Sequence, residues 1–455
     1  MPKSTRRLKR TSPQPTAREL KQAQDAQTKN KQLASGNNDN AATLYHRPYS
    51  ADDALMLELS DSLDSFHLGK SFLGFVPSRI GHSQAIDHAS IAVIGAHKYF
   101  IGGDVRLQTN ALRHYAQAVT ALRIDLAKNN GGPDRSLHDA MLTAALLFCF
   151  ETTLDPKVAS GSAHNRGLSA IILASSGRSC MKDELPRSLL YFHWKGVFNR
   201  PVVLGQVSPF DNEYWLGMRP ASCGRVGKEV ETLRWLAQKL FVRLPRLIAL
   251  VREAKMGGGA SVDEAMKLAE VLAVDRDDKA ENVVLHGLKV AKTQAQTMNE
   301  TKIIPFSYEF EDTPQYEGAM YYWQTRIMAN RLLALLLSLS GDETTTTRIQ
   351  SLQDENVRLV MNQMMSFQYG LSVGLVGAWA ICLGWITVWG AVQDVECIQR
   401  GSRTLWSERL RPFLLQKYNL LHRLHVAFGE TDMDEAAEML VGGPLGARAI
   451  TGVMP

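Results

Sequence analysis

Three acids in one short string have the types and the spacing that suit metal chemistry. Asp277, Asp278 and Glu281 stand in the string DDKAE, and on a helix the first two lie about one turn from the third. Carboxylate oxygens are the ligands that Mg²⁺ prefers in proteins, commonly shared with the phosphates of a substrate. The string is therefore a candidate site for magnesium and a diphosphate.

The same string also has a structural interpretation. Arg276 and Lys279 alternate with the acids, which is typical of a solvated helix face crossed by salt bridges. The string resembles the magnesium-binding motif of class I terpene synthases, although no second metal-binding motif of Asn, Ser and Glu follows it. We prefer the solvated face and keep a magnesium-dependent, terpene-synthase-like enzyme as an alternative.

Other familiar site patterns are weak or missing in this sequence. His422 and His425 have helical spacing and could begin a metal site, but no Cys or acid lies near enough in sequence to complete it. Gly257–Gly259 lacks the Lys-Ser/Thr pair of a phosphate loop, and HExxH, GxSxG and GxGxxG do not occur. The sequence predicts a protein that is not an enzyme and that holds no metal or cofactor.

The elements that would position these residues read as helices. Apolar residues recur at helical spacing on one predicted face between positions 112 and 126: Leu112, Tyr115, Ala116, Val119, Leu122 and Leu126. Ser136 with Asp139, and Ser261 with Glu264, predict helix starts by capping boxes. Residues 177–226 suit a long irregular connection, and no run alternates with the period of a strand. We therefore expect an all-α fold.

The charge is concentrated at the N-terminus. The chain carries +5 overall, but residues 1–50 alone carry ten Lys or Arg against three acids, so the rest is close to neutral. This composition predicts a disordered basic tail over 1–50, followed by one domain over 51–455. The basic string KSTRRLKR has two interpretations, a nuclear localisation signal or a solvated tail. Its candidate residues are Lys3, Arg6, Arg7, Lys9 and Arg10.

One uncharged stretch, Gly370–Val392, is long enough to cross a membrane. Five glycines within it lower its helix propensity, and the residues on both sides carry mixed charges rather than a basic flank. A helix that is apolar on every side can also lie at the centre of a large helical protein. We expect a buried helix, and a single-span membrane protein stays as an alternative.

Several stretches, in order, resemble one protein family. They are FLGFVPSRIGHSQAIDHASIAVIGAHKY (72–99), LRHYAQAVTALRIDL (112–126), SLHDAMLTAALLFCFETT (136–153), AHNRGLSAIILASSG (163–177), RLPRLIALVREA (243–254) and AMYYWQTRIMANRLLALLL (319–337). Together they are similar to the C-terminal regulatory domain of fungal zinc binuclear cluster transcription factors, the fungal-specific transcription factor domain. The resemblance covers roughly residues 55–445.

The resemblance implies an α-helical domain of a nuclear regulator of RNA polymerase II transcription. Its partners would be the transcriptional machinery or a DNA-bound protein, and a small-molecule effector is a further possibility within the family. Six aromatic residues could line an effector pocket, although core packing is the preferred interpretation: Tyr321, Tyr322, Trp323, Trp379, Trp385 and Trp389.

The family's zinc cluster has no counterpart in this sequence. That cluster requires six closely spaced cysteines near the N-terminus, whereas the first of five cysteines here is Cys149. We expect contact with DNA to be indirect, or non-specific through the basic tail. Either the cluster is encoded upstream of Met1, or the protein regulates transcription without its own DNA reader.

Overall fold

The computed structural model describes residues 54–55, 57–58, 72–128, 134–154, 163–193, 195–221, 227–257, 259–293, 303–340, 345–372, 383–394, 405–421 and 429–445. Within these ranges the fold is all-α, as predicted.

Among the described residues, the first half of the domain contains seven α-helices. They are α1 (Gln84–Gly102), α2 (Val105–Lys128), α3 (Asp134–Leu154), α4 (Ala163–Ala174), α5 (Glu184–Phe192), α6 (Arg200–Leu204) and α7 (Glu213–Leu216). A π-helical turn, Lys195–Asn199, leads directly into α6. Helix α3 is the hub of this half, since α1, α2, α4 and α5 all pack against it.

The second half is built around longer helices. They are α8 (Lys228–Lys255), α9 (Gly259–Val274), α10 (Asp278–Gly287), α11 (Thr313–Ser340), α12 (Thr346–Met365), α13 (Phe367–Ser372), α14 (383–394), α15 (Leu405–Leu421) and α16 (Glu430–Met439). Helix α11 is the hub, because α8, α9 and α12 pack against it along its length. Almost every side chain from Thr313 to Leu333 is buried.

Each half of the domain has its own large cluster of buried apolar side chains. The N-terminal core runs from Leu55 to Trp215 and also includes Val242. The C-terminal core runs from Val230 to Val441 and also includes four side chains from the first half: Tyr191, Phe198, Val202 and Val203. The elements α5, the π-helical turn and α8 therefore each contribute side chains to both cores, and the cores meet there.

A short antiparallel hairpin departs from the sequence prediction, which contained no strand. Strand β1 (Lys289–Lys292) pairs with β2 (Phe306–Glu309), with Val290 opposite Tyr308. Each strand has four residues, too few for an alternating pattern to be distinguished from a loop. The hairpin is attached to the helices through β2, which lies against α12 and α13.

Helix α2 is rotated relative to the predicted apolar stripe. Leu112 and Leu126 are exposed, and the fully buried positions are Ala111, Ala118 and Leu122. The reason is the close approach of α1, because a Cβ added at Gly95 would lie 3.0 Å from the Cβ of Ala111. Small residues therefore face inward, and larger apolar residues of α2 are displaced toward solvent.

Other predicted boundaries were also wrong. The predicted irregular connection over 177–226 contains α5, α6 and α7. The two predicted capping boxes are not helix starts, because α3 begins before Ser136 and α9 before Ser261. Tertiary packing extended these helices past the local signals.

Candidate functional site

A cluster of three titratable side chains joins helices α2, α3 and α4. The Tyr115 hydroxyl donates to Oε1 of Glu151 at 3.2 Å and lies 2.9 Å from Nε2 of His164. Nε2 of His164 is also 3.5 Å from Oε1 of Glu151. The ring of Tyr115 stacks on Phe150, with 4.7 Å between ring centroids. One side chain from each helix thus meets in a single hydrogen-bonded group.

Burial keeps the phenol of Tyr115 protonated and the imidazole of His164 neutral near neutral pH. Burial, followed by the nearby Glu151 carboxylate, raises the pKa of Tyr115 to about 12. Burial lowers the pKa of His164, against the opposing influence of Glu151. Because the phenol O–H donates to Glu151, the phenol oxygen accepts from a neutral His164 that carries its proton on Nε2. A phenol held protonated does not act as a base at neutral pH, so the cluster fits a structural latch better than a catalytic site.

Each residue of this latch lies in a different one of the stretches whose sequence resembles the fungal regulatory domain. Tyr115 lies in LRHYAQAVTALRIDL, Glu151 in SLHDAMLTAALLFCFETT and His164 in AHNRGLSAIILASSG. The sequence placed them 36 and 13 residues apart with no sign that they meet. The structure brings them into hydrogen-bonding distance.

Within the acidic string DDKAE, Glu281 has a structural role, whereas Asp278 and Lys279 lie on an exposed face. Glu281 is 3% exposed and pairs with Arg358 through two contacts, Nη1 to Oε1 at 2.7 Å and Nη2 to Oε2 at 3.1 Å. The indole N–H of Trp323 also donates to Oε1 of Glu281, at 2.9 Å. Asp277 accepts from the amide of Ala280 at 2.9 Å and caps the start of α10.

The remaining charges near this string continue the same ion network. Arg276 lies 3.2 Å from Asp278 and 3.7 Å from Glu355, and Glu355 is also 3.5 Å from Arg326. Within the described ranges, no three His, Cys, Asp or Glu side chains gather as a metal site would require. The acids of the string are thus engaged by arginines, an indole and a backbone amide, which gives the magnesium alternative no support.

The uncharged stretch is described at its two ends. Gly370–Ser372 ends helix α13, and residues 383–392 form most of α14, which is buried in the C-terminal core. A Cβ at Gly384 would lie 2.8 Å from the side-chain amides of Gln324 and Gln363 on α11 and α12, and a Cβ at Gly390 would overlap the guanidinium of Arg331. The glycines therefore let polar side chains approach the backbone of α14.

An ion pair between a buried arginine and a partly exposed aspartate fixes α14 against α11. Arg331 is about 1% exposed and donates to Asp394 through Nε at 2.6 Å and Nη2 at 3.1 Å. Its Nη1 donates to the carbonyl of Ala437 on α16 at 3.3 Å. Trp389 adds a second link to α16, because its indole N–H donates to Asp434 at 2.7 Å. Three helices are thus joined by polar contacts at this end of the core.

One helix in the described ranges is long and apolar enough to cross a membrane, and it is not the predicted one. It covers Ser136–Leu154 of α3, and 78% of its apolar window is buried inside the fold. The core helix of a soluble protein passes the same test of length and composition.

Some predicted site residues lie outside the described ranges. They are Lys3, Arg6, Arg7, Lys9, Arg10, Gly258, Trp379, His422 and His425. The other five aromatic residues of the proposed effector pocket are buried in the C-terminal core: Tyr321, Tyr322, Trp323, Trp385 and Trp389. Of these, Tyr321 also lines a small cavity.

The buried arginines of α11 were not among the predicted site residues. Arg326 and Arg331 are almost fully buried, although arginine is seldom buried unless it is paired. The signal was present, since both interrupt a long apolar run between Tyr321 and Leu337. Such an interruption points to a buried partner, but it does not say which acid supplies it.

Comparison with protein-family models, with curated proteins and with solved structures finds no match to this chain.

Proposed function

We propose that this chain is the regulatory domain of a fungal transcriptional regulator of the zinc cluster type. It would act in the nucleus on RNA polymerase II transcription, without chemistry of its own. The observation that carries the proposal is the latch of Tyr115, Glu151 and His164. The two stretches that resemble the family most specifically contribute Tyr115 and Glu151, and the stretch that follows them contributes His164, inside an all-α fold of the expected class.

The two-core architecture suits regulation by population shift. A ligand or partner shifts a conformational equilibrium only by as much as it prefers one state. The N-terminal and C-terminal cores share side chains where α5 and α8 meet. A change in packing at that boundary would therefore shift helices in both halves. It would also change the surface that a partner protein contacts.

Tethering the full chain to a heterologous DNA-binding domain tests the proposal. A reporter gene with the matching binding sites should change its transcription several-fold when the fusion is expressed. The matched control is the same fusion with Tyr115→Phe and His164→Phe, which removes the latch hydrogen bonds and should reduce the effect. An unchanged reporter, with the fusion shown to be present in the nucleus, would contradict the proposal.

The basic tail gives a separate test of localisation. The full chain fused to a fluorescent protein should accumulate in the nucleus of a fungal cell. Replacing Lys3, Arg6, Arg7, Lys9 and Arg10 with Gln should abolish that accumulation, because a basic cluster of this kind is read by import receptors through its charge. Equal nuclear accumulation of both fusions would remove the tail as the signal.

A further inference from the structure

A small cavity lies where the two cores meet. Its walls come from α5, the π-helical turn, α8 and α11, and they include Val197, Gln238 and Val242. Val197 and Val242 belong to the N-terminal core, whereas the aromatic wall residues belong to the C-terminal core. The cavity is therefore bounded by both halves of the domain.

Three aromatic rings shape the cavity wall. Tyr321 meets Tyr191 edge-to-face with 6.1 Å between ring centroids, and it meets Phe241 in the same way at 5.6 Å. Each of these side chains is at most 7% exposed. Aromatic edges and faces of this kind favour a flat apolar guest.

The side-chain amide of Gln238 brings a polar acceptor into these largely apolar walls. Gln238 is 7% exposed, and its Oε1 is buried without a hydrogen-bond partner. The orientation of this amide is fixed, because its Nε2 donates to the carbonyl of Met218 at 2.8 Å and that carbonyl can only accept. A buried acceptor that remains unsatisfied costs about 1–3 kcal/mol. The site therefore lacks a hydrogen-bond donor.

We propose that this cavity is an effector site for a small aromatic molecule that carries one O–H or N–H donor. The ring packs among Tyr191, Phe241 and Tyr321, and the donor bonds to Oε1 of Gln238. The proposal deepens the regulatory function proposed above and rests on it for its consequence, but not for binding itself.

The size of the cavity links occupancy to a change in packing. In the present structure it has room for about one water molecule. A phenol-sized guest therefore binds only when the walls contributed by the two cores move apart. Such a guest prefers the separated packing, and this preference is what a population shift requires.

Phenol and toluene form a matched pair of probes for the purified full chain. They have nearly the same size, but only phenol carries a donor. Binding is measured by titration calorimetry and by the rise of the thermal midpoint with ligand concentration. Phenol should bind about five-fold more tightly than toluene, as expected for one added hydrogen bond, although toluene is the more hydrophobic molecule.

Two variants locate the binding. Gln238→Met should bring the affinities for phenol and toluene within about two-fold of each other, because the acceptor is gone. Gln350→Met, at an exposed position on α12, is the matched control and should keep the preference for phenol.

Two outcomes would overturn the proposal: wild-type protein that binds neither probe or does not prefer phenol, and a preference that survives in Gln238→Met. Because binding is measured without a reporter gene, a failure here is distinguishable from a failure of the tethering experiment.

Discussion

The two halves of the domain bury polar groups in different ways. The N-terminal half buries neutral histidines: His193 is fully buried, with its Nε2 2.6 Å from the hydroxyl of Ser169, and His97 is 8% exposed. The C-terminal half buries charges. Arg331 pairs with Asp394 there, and Glu281 pairs with Arg358.

This difference shows two solutions to one physical problem. A neutral imidazole costs little to bury, but the fold then resists its protonation, so acid weakens the structure. A buried charge is expensive unless a partner is held in good geometry. The ion pairs of the C-terminal half consequently fix the positions of α10, α11, α12 and α14 relative to one another.

The largest effect should come from breaking the ion pair of a buried arginine in the C-terminal core. Arg331→Met leaves Asp394 without its partner and removes the contact to the carbonyl of Ala437. Asp394 is 36% exposed and can be solvated after the change, so the loss comes from the hydrogen bonds of the buried guanidinium. We expect a loss of about 2–4 kcal/mol in the free energy of unfolding, measured by urea denaturation at pH 7.

A surface pair provides the control for that variant. Arg348 pairs with Glu270, and both side chains are well exposed, so Arg348→Met should cost no more than about 1 kcal/mol. Similar losses in the two variants would mean that the C-terminal core does not depend on its buried charges.

The next effect concerns acid and the N-terminal core. Burial lowers the pKa of His193 to about 3 and that of His97 to about 4, both below the ordinary 6.5. As pH falls below 6.5, these histidines become protonated in the unfolded chain but stay neutral in the folded chain. The free energy of unfolding therefore falls. For His193 the loss between pH 7 and pH 5 should be about 2 kcal/mol.

The variant His193→Gln isolates this contribution. Its free energy of unfolding should change less between pH 7 and pH 5 than that of the wild type. The exposed His286 provides the control, since His286→Gln should keep the wild-type change. A wild-type change that persists in His193→Gln would assign the acid sensitivity to other groups.

The smallest effect has the opposite sign and lies in the C-terminal half. Burial raises the pKa of Glu317 to about 7, despite the nearby Arg234. The folded state therefore favours the neutral acid, and the stability this gives is complete below pH 4.5 and lost as pH rises through 7. Glu317→Gln, always neutral, should gain about 1–2 kcal/mol at pH 8 and almost nothing at pH 4.5.

Urea denaturation at both pH values checks this prediction. Glu311, an exposed neighbour, supplies the control, and Glu311→Gln should change little at either pH. If Glu317→Gln proved no more stable than the wild type at pH 8, the burial of this carboxyl would not govern the response of the C-terminal half to base.

Helix positions were largely predictable because their apolar patterns are long. The helical spacing predicted between positions 112 and 126, for example, falls within the observed helix Val105–Lys128. The face that α2 buries was not predictable in the same way, because the partner surface decides it. Because α1 approaches α2 closely at Gly95 and Ala111, α2 leaves Leu112 and Leu126 of the predicted stripe exposed.

The candidate site was predictable only in its parts. Tyr115, Glu151 and His164 each lie in a stretch that drew attention in the sequence, but nothing in their spacing indicated a shared hydrogen-bonded latch. Glu281 was read as part of a solvated face, since Arg276 and Lys279 flank it. Its true partner, Arg358, is 77 residues away.

The sequence by itself determined the all-α class and the positions of the main helices, because helical periodicity is a local property of the chain. It also contained the buried arginines as interruptions of an apolar run. Only the tertiary structure decided the pairing of those arginines, the latch between α2, α3 and α4, and the cavity between the cores. Each of these depends on side chains that are distant in sequence, and their approach is set by the packing of whole helices.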